Sequence, residues 1–245
     1  MVSSPEWKPI VKPRYMPAAV HPTFIHTLLS NLWKDLRLEW RSKDAINAML
    51  FFALLVAVIF SFAFEPTPEE ARQMVGGLLW VAVLFASIVA LNQSWARELR
   101  NQALDGYRVS RASPNALFLG KAIGNFIFVG ALELVIAPLF IVFFNLRALG
   151  STAMLIVVFA AGTWAVVING TFFGAMSLRT RSRELMLPLL LFPISIPAVL
   201  AMVNATTAVL SGEGGTRLPL DFLIVYDIVF TTVCFLLFET VLHAE

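Results

Sequence analysis

Long apolar stretches, separated by short polar segments, follow one another along the chain after about residue 45. A helix needs about 20 mainly apolar residues to cross the hydrocarbon core of a membrane. Six stretches meet this requirement, and they cover 46–64, 75–93, 121–144, 151–175, 185–210 and 222–242. The pattern predicts an all-α integral membrane protein whose six transmembrane helices form one domain over 45–245.

The segment before the first span, residues 23–44, has a different periodicity. Apolar residues recur at every fourth position, with further apolar residues beside them: Phe24, Leu28, Leu32, Leu36 and Trp40, flanked by Ile25, Leu29 and Trp33. Polar residues, among them Asn31, Lys34 and Asp35, occupy the remaining faces. This stripe predicts an N-terminal amphipathic helix in the membrane interface. The alternative is a cytoplasmic helix that packs on loops of the bundle.

The polar, Pro-rich residues 1–22 contain no apolar core typical of a signal peptide, and we expect them to form a disordered cytoplasmic extension. The fifth apolar stretch contains Pro188, Pro193 and Pro197. Because proline removes a backbone donor and kinks a helix, we expect a kinked span that ends near Ala201. A re-entrant or interfacial piece at 204–210 would follow, and one long tilted helix is the alternative.

Composition and charge placement agree with a membrane location. Hydrophobic residues make up 58% of the chain and charged residues 14%, whereas soluble domains are about 45–50% apolar. Lys and Arg number seven before the first span, five between the second and third, and three between the fourth and fifth. Each of the other three connections holds one. The excess of basic residues on one side predicts that both termini are cytoplasmic.

Motifs for catalysis or metal binding are missing from the sequence. Gly120-Lys121 is followed by Ala122, so it does not complete a phosphate-binding loop. Cys234 is the single cysteine, which excludes intrachain disulfides and thiolate clusters. The three histidines are scattered, at His21, His26 and His243. We therefore expect no catalytic residues, no metal site, no tightly bound cofactor and no nucleic-acid partner.

Two ionisable residues lie inside predicted spans. Glu133 is near the middle of the third span and Asp227 is in the sixth. A charge at the centre of a membrane helix costs about 2.5–3.5 kcal/mol on insertion scales, so such residues normally face a partner or a cavity. Either they line a path or a subunit contact, or they are protonated or hydrogen-bonded and serve packing.

Glycines on the third and fourth spans permit close approach of helices, either within the bundle or in a homodimer. They are Gly120, Gly124 and Gly130 on the third span and Gly162, Gly170 and Gly174 on the fourth.

The connection between the second and third spans carries a family resemblance. An Arg-Glu pair leaves the second span, a Gly and a Ser-Pro turn follow, and Gly-Lys opens the third span, in "ARELRNQALDGYRVSRASPNALFLGKAIGN". This order resembles permeases of ABC exporters. Further stretches, such as "LELVIAPLF" and "RTRSRELMLPLLLFPISIPAVL", are similar to the CcmB family of haem exporter proteins in cytochrome c maturation.

The resemblance implies a permease subunit of the bacterial inner membrane that works with a separate, CcmA-like ATPase. In such permeases the cytoplasmic loop, here about 94–120, couples the membrane domain to the ATPase. The residues that it places in this role are Arg97, Glu98, Arg100, Asp105, Gly106, Pro114 and Lys121. It also implies CcmC-like and CcmD-like partners, and haem as the transported species or the release of a haem-loaded chaperone.

Three alternatives stay open from the residues. The substrate could be a lipid, a glycan or a drug, the chain could be a membrane scaffold without transport, and the loop could be a solvated segment that only sets topology.

Overall fold

The computed structural model describes residues 23–41, 43–64, 66–100, 113–146, 149–178, 180, 182–212 and 214–243. This part of the chain contains seven α-helices: α1 Phe24–Arg41, α2 Lys43–Ala63, α3 Pro68–Arg100, α4 Pro114–Phe143, α5 Thr152–Ser177, α6 Arg183–Ser211 and α7 Arg217–His243. Helices α2 to α7 are long and apolar enough to cross a membrane. The predicted all-α, six-span fold is confirmed. The predicted extension at 1–22 lies outside the described residues.

The spanning helices alternate in direction and create two ends of the bundle. At one end, which we call the α1 end, helix α1 packs on the start of α4. Helices α3, α5 and α7 finish at this end, and α2, α4 and α6 begin there. The charge pattern predicts that the α1 end is cytoplasmic. The half of the bundle farther from α1 is called the far half.

Several helices continue beyond the predicted apolar stretches, and the start of α3 shows side-chain capping. Helix α3 begins at Pro68 rather than near residue 75. The Thr67 amide donates to Glu70 Oε2 over 2.8 Å, and the Glu70 amide donates to Thr67 Oγ1 over 3.4 Å. This reciprocal capping satisfies free amides of the first turn. Helix α4 begins at Pro114, a residue suited to the first position of a helix, with Ser113 before it at a position where its side chain makes no capping hydrogen bond.

Helix α6 differs from the prediction of an end near Ala201. The helix runs without a break from Arg183 to Ser211 and contains all three prolines. The Tyr226 hydroxyl of α7 donates to the Ile194 carbonyl oxygen over 2.9 Å, next to the backbone groups that Pro197 disturbs. Such support from neighbouring helices allows proline inside a membrane span. The re-entrant piece at 204–210 is therefore wrong.

The end of α6 is buried and closed by defined contacts. Ala205, Thr206 and Val209 are almost completely buried in the bundle. The amides of Leu149 and Gly150 donate to the carbonyl oxygens of Leu210 and Val209, over 3.1 and 3.0 Å. Gly212 then adopts a left-handed conformation with φ of 69°, which is a common way to end a helix. These contacts hold the last turns of α6 inside the bundle.

Helix α5 lies in the centre of the bundle, with its glycines against large side chains. A Cβ atom at Gly162 would overlap the Trp80 ring, one at Gly170 would overlap Leu91, and one at Gly174 would overlap Trp95. The predicted packing use of these glycines is confirmed, and they bring α3 against α5. Gly130 on α4 is different, because nothing lies within 4 Å of the Cβ position.

We predict that Gly162→Leu destabilises the protein, because the added side chain would have to displace Trp80 from a closely packed site. Overpacking of this kind costs about 1–3 kcal/mol or more. The measurement is the thermal midpoint of the purified protein in detergent. For a chain of this size the midpoint should fall by about 2–4 °C for each kcal/mol of lost stability. Gly130→Leu is the matched control and should leave the midpoint nearly unchanged; equal losses for both variants would contradict the packing.

Candidate functional site

Helix α1 crosses the beginning of α4 at two glycines. A Cβ atom at Gly120 would lie 2.9 Å from the Leu28 carbonyl oxygen and 3.3 Å from Asn31 Cβ. One turn further, a Cβ atom at Gly124 would lie 3.6 Å from Asp35 Cβ. The absence of a side chain at Gly120 is what allows the two backbones to approach this closely. The approach brings polar side chains of α1 onto the bundle.

The face of α1 that packs on α4 includes part of the predicted apolar stripe, since Leu28 and Leu32 are half-buried and Leu32 Cδ1 lies 3.6 Å from a Cβ atom placed at Gly124. Thr27 and Asn31 are buried, whereas Ile25, Leu29 and Trp33 are 68%, 55% and 68% exposed. The prediction of a helix is confirmed. Helix α1 therefore packs through Thr27, Asn31 and the edge of its predicted apolar stripe, and it leaves the flanking stripe of Ile25, Leu29 and Trp33 uncovered.

Four charged side chains meet where α1, α3 and α4 come together; Lys34, Asp35, Glu98 and Lys121 are called the charge cluster below. Lys121 Nζ lies 3.0 Å from Asp35 Oδ2 and 3.0 Å from Glu98 Oε1. Lys34 Nζ lies 2.6 Å from the same Glu98 oxygen and 3.5 Å from Asp35 Oδ1. Each cation thus contacts both carboxylates.

The charge cluster pairs two positive with two negative side chains, and its inner members Lys121 and Glu98 are buried whereas Lys34 is 35% exposed. The Lys121 side chain is 1% exposed and the Glu98 side chain 5% exposed. Lys121 Nζ also lies 4.9 Å from the centre of the Trp95 ring, where the π-system adds further attraction for the ammonium group. Removing ions from water is costly unless partners are close, so two positive and two negative charges in contact make this burial tolerable.

The charge cluster holds both ends of the connection between α3 and α4. Glu98 is two residues before the last residue of α3, and Lys121 is in the second turn of α4. Arg97 is half-buried and Arg100 is exposed at the end of α3. Residues 101–112, including Asp105 and Gly106, lie outside the described residues. The two flanking helices are joined to each other and to α1 by the same ion pairs.

A second group of polar residues lies inside the spans around α5. Glu133 of α4 is 6% exposed and accepts a hydrogen bond from the Thr163 hydroxyl of α5 over 2.5 Å. Glu133 is about ten residues, or roughly 15 Å, from the far end of α4. The contact joins two helices in the far half, where lipid surrounds the bundle.

Two further polar residues of α5, Asn169 and Thr171, bind three neighbouring helices between them. Asn169 donates to the Tyr226 oxygen of α7 over 3.2 Å. Asn125 of α4 donates to the Thr171 hydroxyl over 3.1 Å, and the Trp95 indole of α3 donates to the Thr171 carbonyl oxygen over 2.9 Å. These bonds satisfy polar groups that have no access to water and fix the positions of α3, α4 and α7 relative to α5.

Asp227 of α7 is half-buried and differs from Glu133. The Asp227 Oδ1 atom is shielded and has no hydrogen-bond partner among the described residues. The described residues show no contact between the carboxyl groups of Glu133 and Asp227. The two intramembrane acids are therefore separate features rather than one acidic pair.

Comparison with protein families identifies the chain. The family model described as "CcmB protein" matches residues 26–243, which include all six spans and the charge cluster. The chain belongs to the CcmB family.

Curated relatives agree with this assignment, and three share the printed name "Heme exporter protein B". The protein from Rhodobacter capsulatus is 30% identical over 169 residues, which cover 69% of this chain and 77% of that protein. The relative from Bradyrhizobium diazoefficiens is 26% identical over 197 residues, or 80% and 88% of the two chains. That from Pseudomonas aeruginosa is 26% identical over 172 residues, or 70% and 76%.

The CcmB-type loop residues predicted from the sequence have different positions in the structure. Glu98 and Lys121 come together in the charge cluster, and their side chains face the interior. Arg97 and Arg100 stand at the end of α3, nearer to the surface. A direct contact of these residues with an ATPase stays a prediction. For Glu98 and Lys121, burial favours a positioning role through α1 and the loop ends.

Sequence reasoning missed Lys34 and Asp35 as site residues, and it missed the partners of the intramembrane polar groups. The only hint was that Asp35 follows Asn31 and Thr27 at helical spacing, which places three polar residues on one face of α1. Asn169 and Thr171 had no such hint, because isolated polar residues in an apolar span do not show which helix they contact.

We predict that Lys121→Met lowers the free energy of unfolding by about 3–5 kcal/mol, because it leaves two buried carboxylates with one cation. The double variant Lys121→Met with Glu98→Met keeps the balance of charges and should be more stable than Lys121→Met alone. A double-mutant cycle of thermal unfolding in detergent checks this. The cycle includes Glu98→Met alone. A loss of unfolding free energy in the double variant equal to the sum of the two single losses would show that Lys121 and Glu98 are not coupled.

Proposed function

We propose that this protein is the membrane permease subunit of an ABC transporter that exports haem for cytochrome c biogenesis in a bacterial cytoplasmic membrane. Membership of the CcmB family, relatives named heme exporter protein B, and six spanning helices support this proposal. The subunit itself is not an enzyme. ATP is bound and hydrolysed by a separate, CcmA-like subunit, and CcmC-like and CcmD-like membrane proteins are further partners.

The observation that carries the coupling part of the proposal is the charge cluster at the base of the α3–α4 connection. An ATPase that contacts this connection would exert force on two helix ends that are tied together by ion pairs. Since Lys34 and Asp35 belong to α1, that helix would move with the two ends. The force would then reach the spans through α3 and α4 as rigid elements.

The uncovered stripe of α1 fits a place in the cytoplasmic membrane interface. Ile25, Leu29 and Trp33 are exposed on one side, and Arg37 is exposed on another. An apolar stripe with Trp beside basic residues is typical of helices that lie at the boundary of headgroups and acyl chains. In this position α1 would contact lipid through Ile25, Leu29 and Trp33 and contact α3 and α4 through the charge cluster, next to the surface that faces the ATPase.

The orientation in this proposal rests on the distribution of basic residues. Fifteen of the eighteen Lys and Arg residues belong to the N-terminal segment and the two connections at the α1 end. The positive-inside tendency favours a cytoplasmic location for this end and for both termini. A permease for another substrate, or a scaffold, would share this topology, so the substrate must be tested separately from the coupling.

We predict that Arg100→Glu weakens association with the ATPase subunit about tenfold, because reversal of an exposed charge disturbs electrostatic complementarity. Co-purification of the ATPase from native membranes in mild detergent is the measurement, and the level of c-type cytochromes is the second readout. Arg217→Glu, an exposed reversal at the opposite end of the bundle, is the control and should change neither.

Two results would count against the proposal in different ways. An ATPase that co-purifies equally well with Arg100→Glu and the parent protein would contradict coupling through this surface. Normal levels of c-type cytochromes in cells that lack this chain would contradict haem as the substrate. If an ATPase still bound the parent protein, the assignment as an ABC permease would stand.

A further inference from the structure

A lateral groove opens between α4 and α7 in the far half of the bundle. The groove is visible along one face of α5. Residues that share this face by helical spacing are buried towards the α1 end and exposed in the far half. Ile168, Thr171 and Ala175, towards the α1 end, are buried. Val157 and Ala160, on the same stripe in the far half, are exposed. The covering helices are thus present over one half of this face and absent over the other.

Contacts between α4 and α7 show the same divergence in three steps. Near the α1 end, the rings of Phe118 and Phe238 stack directly, with centres 4.8 Å apart. In the middle, the Trp164 side chain of α5 stands between the two helices. Its ring meets the ring of Phe126 on α4 at 5.6 Å, and its indole nitrogen donates to the Thr231 hydroxyl of α7 over 2.9 Å.

One turn further into the far half, the space between α4 and α7 is open. Gly130 follows Phe126 by one turn on α4, and no atom lies within 4 Å of a Cβ atom placed there. Asp227 precedes Thr231 by one turn on α7 and therefore lies on the same side of that helix. The groove has Trp164 at its closed end, Ala160 and Val157 on its floor, and Gly130 and Asp227 on its walls.

Asp227 gives this groove a chemical preference. The shielded Oδ1 atom has no partner among the described residues, although an acid inside a membrane span normally has one. An acyl chain could fill the space but could not bind a carboxylate. A second copy of this chain is also a poor occupant, because the exposed faces of the described spans carry no basic side chain at the depth of Asp227.

We propose that the groove between α4 and α7 receives a transmembrane helix of a different subunit, which places a basic side chain against Asp227. The floor of α5 is exposed at Ala160, Val157 and Ala153, a length of roughly 10 Å or about two helical turns. Small residues at Gly130 and Ala160 permit close approach of a helix backbone. The proposal does not depend on which substrate the transporter moves.

The test uses the full chain in its native membrane, with Ala160 replaced by photoreactive benzoylphenylalanine. Irradiation should join the chain to another polypeptide, and the joined peptide should lie in an apolar span that contains Lys, Arg or His. The same replacement at Leu200, which is 60% exposed on α6, is the positional control and should not give this product.

Variants then distinguish the contribution of the open space in the groove from that of the Asp227 charge to the yield of the cross-linked product. Gly130→Trp fills the groove and should lower the yield of the product about tenfold, the ratio that corresponds to about 1.4 kcal/mol of association. Ala131→Trp, on the neighbouring lipid-facing side of α4, should leave the yield unchanged. Asp227→Asn removes the charge and should lower the yield to a similar extent, while Asp227→Glu should retain most of it.

Three results would overturn the proposal: a product that contains two copies of this chain, products with lipid alone, and a yield that is the same for Asp227→Asn and the parent. None of them bears on binding of an ATPase at the α1 end. Failure of this inference and failure of the proposed function are therefore distinguishable. The thermal midpoint of each variant is measured as a folding control. A midpoint equal to that of the parent protein shows that a lower yield of cross-linked product does not result from unfolding.

Discussion

Lys121 places an ammonium group at a site that is closed to water by α1, α3 and α4, and a charge in such a site is stable only with opposite charges in contact. Glu98 and Asp35 supply those charges, and Lys34 balances them. Because the four residues come from three helices, this requirement fixes α1 on the bundle and fixes the end of α3 beside the start of α4. The connection that is expected to meet an ATPase therefore begins and ends at two helix termini, the end of α3 and the start of α4, that the ion pairs hold together.

Polar contacts extend this arrangement into the spans. Trp95, whose ring lies over Lys121, also donates to Thr171 of α5, and Thr171 accepts a hydrogen bond from Asn125 of α4. The charge cluster and the central helix thus share Trp95 as a common neighbour. In the far half, Trp80 donates to Thr206 and Thr163 donates to Glu133, while α4 and α7 separate. The bundle is closed at the α1 end, where we propose coupling to an ATPase, and open between α4 and α7, where we propose that a further subunit joins it.

The sequence allows prediction of six spans and the existence of α1, because these features depend on local hydropathy and periodicity. It does not reveal which face of α1 packs, since that choice depends on Gly120 and on ion pairs between residues 64 and 86 positions apart. It also misplaces the end of α6, because the proline pattern is local whereas the Tyr226 contact next to the prolines comes from another helix.

Distance measurements by double electron–electron resonance test the central claim most directly. In a Cys234→Ala chain assembled with its ATPase, spin labels at Leu29 and Ile127 report α1 against α4, and labels at Leu29 and Leu200 report α1 against α6. The account predicts that trapping ATP on the partner leaves the first distance unchanged and shifts the second, because the charge cluster keeps α1 and α4 together. A shift of the first distance on ATP trapping would contradict it.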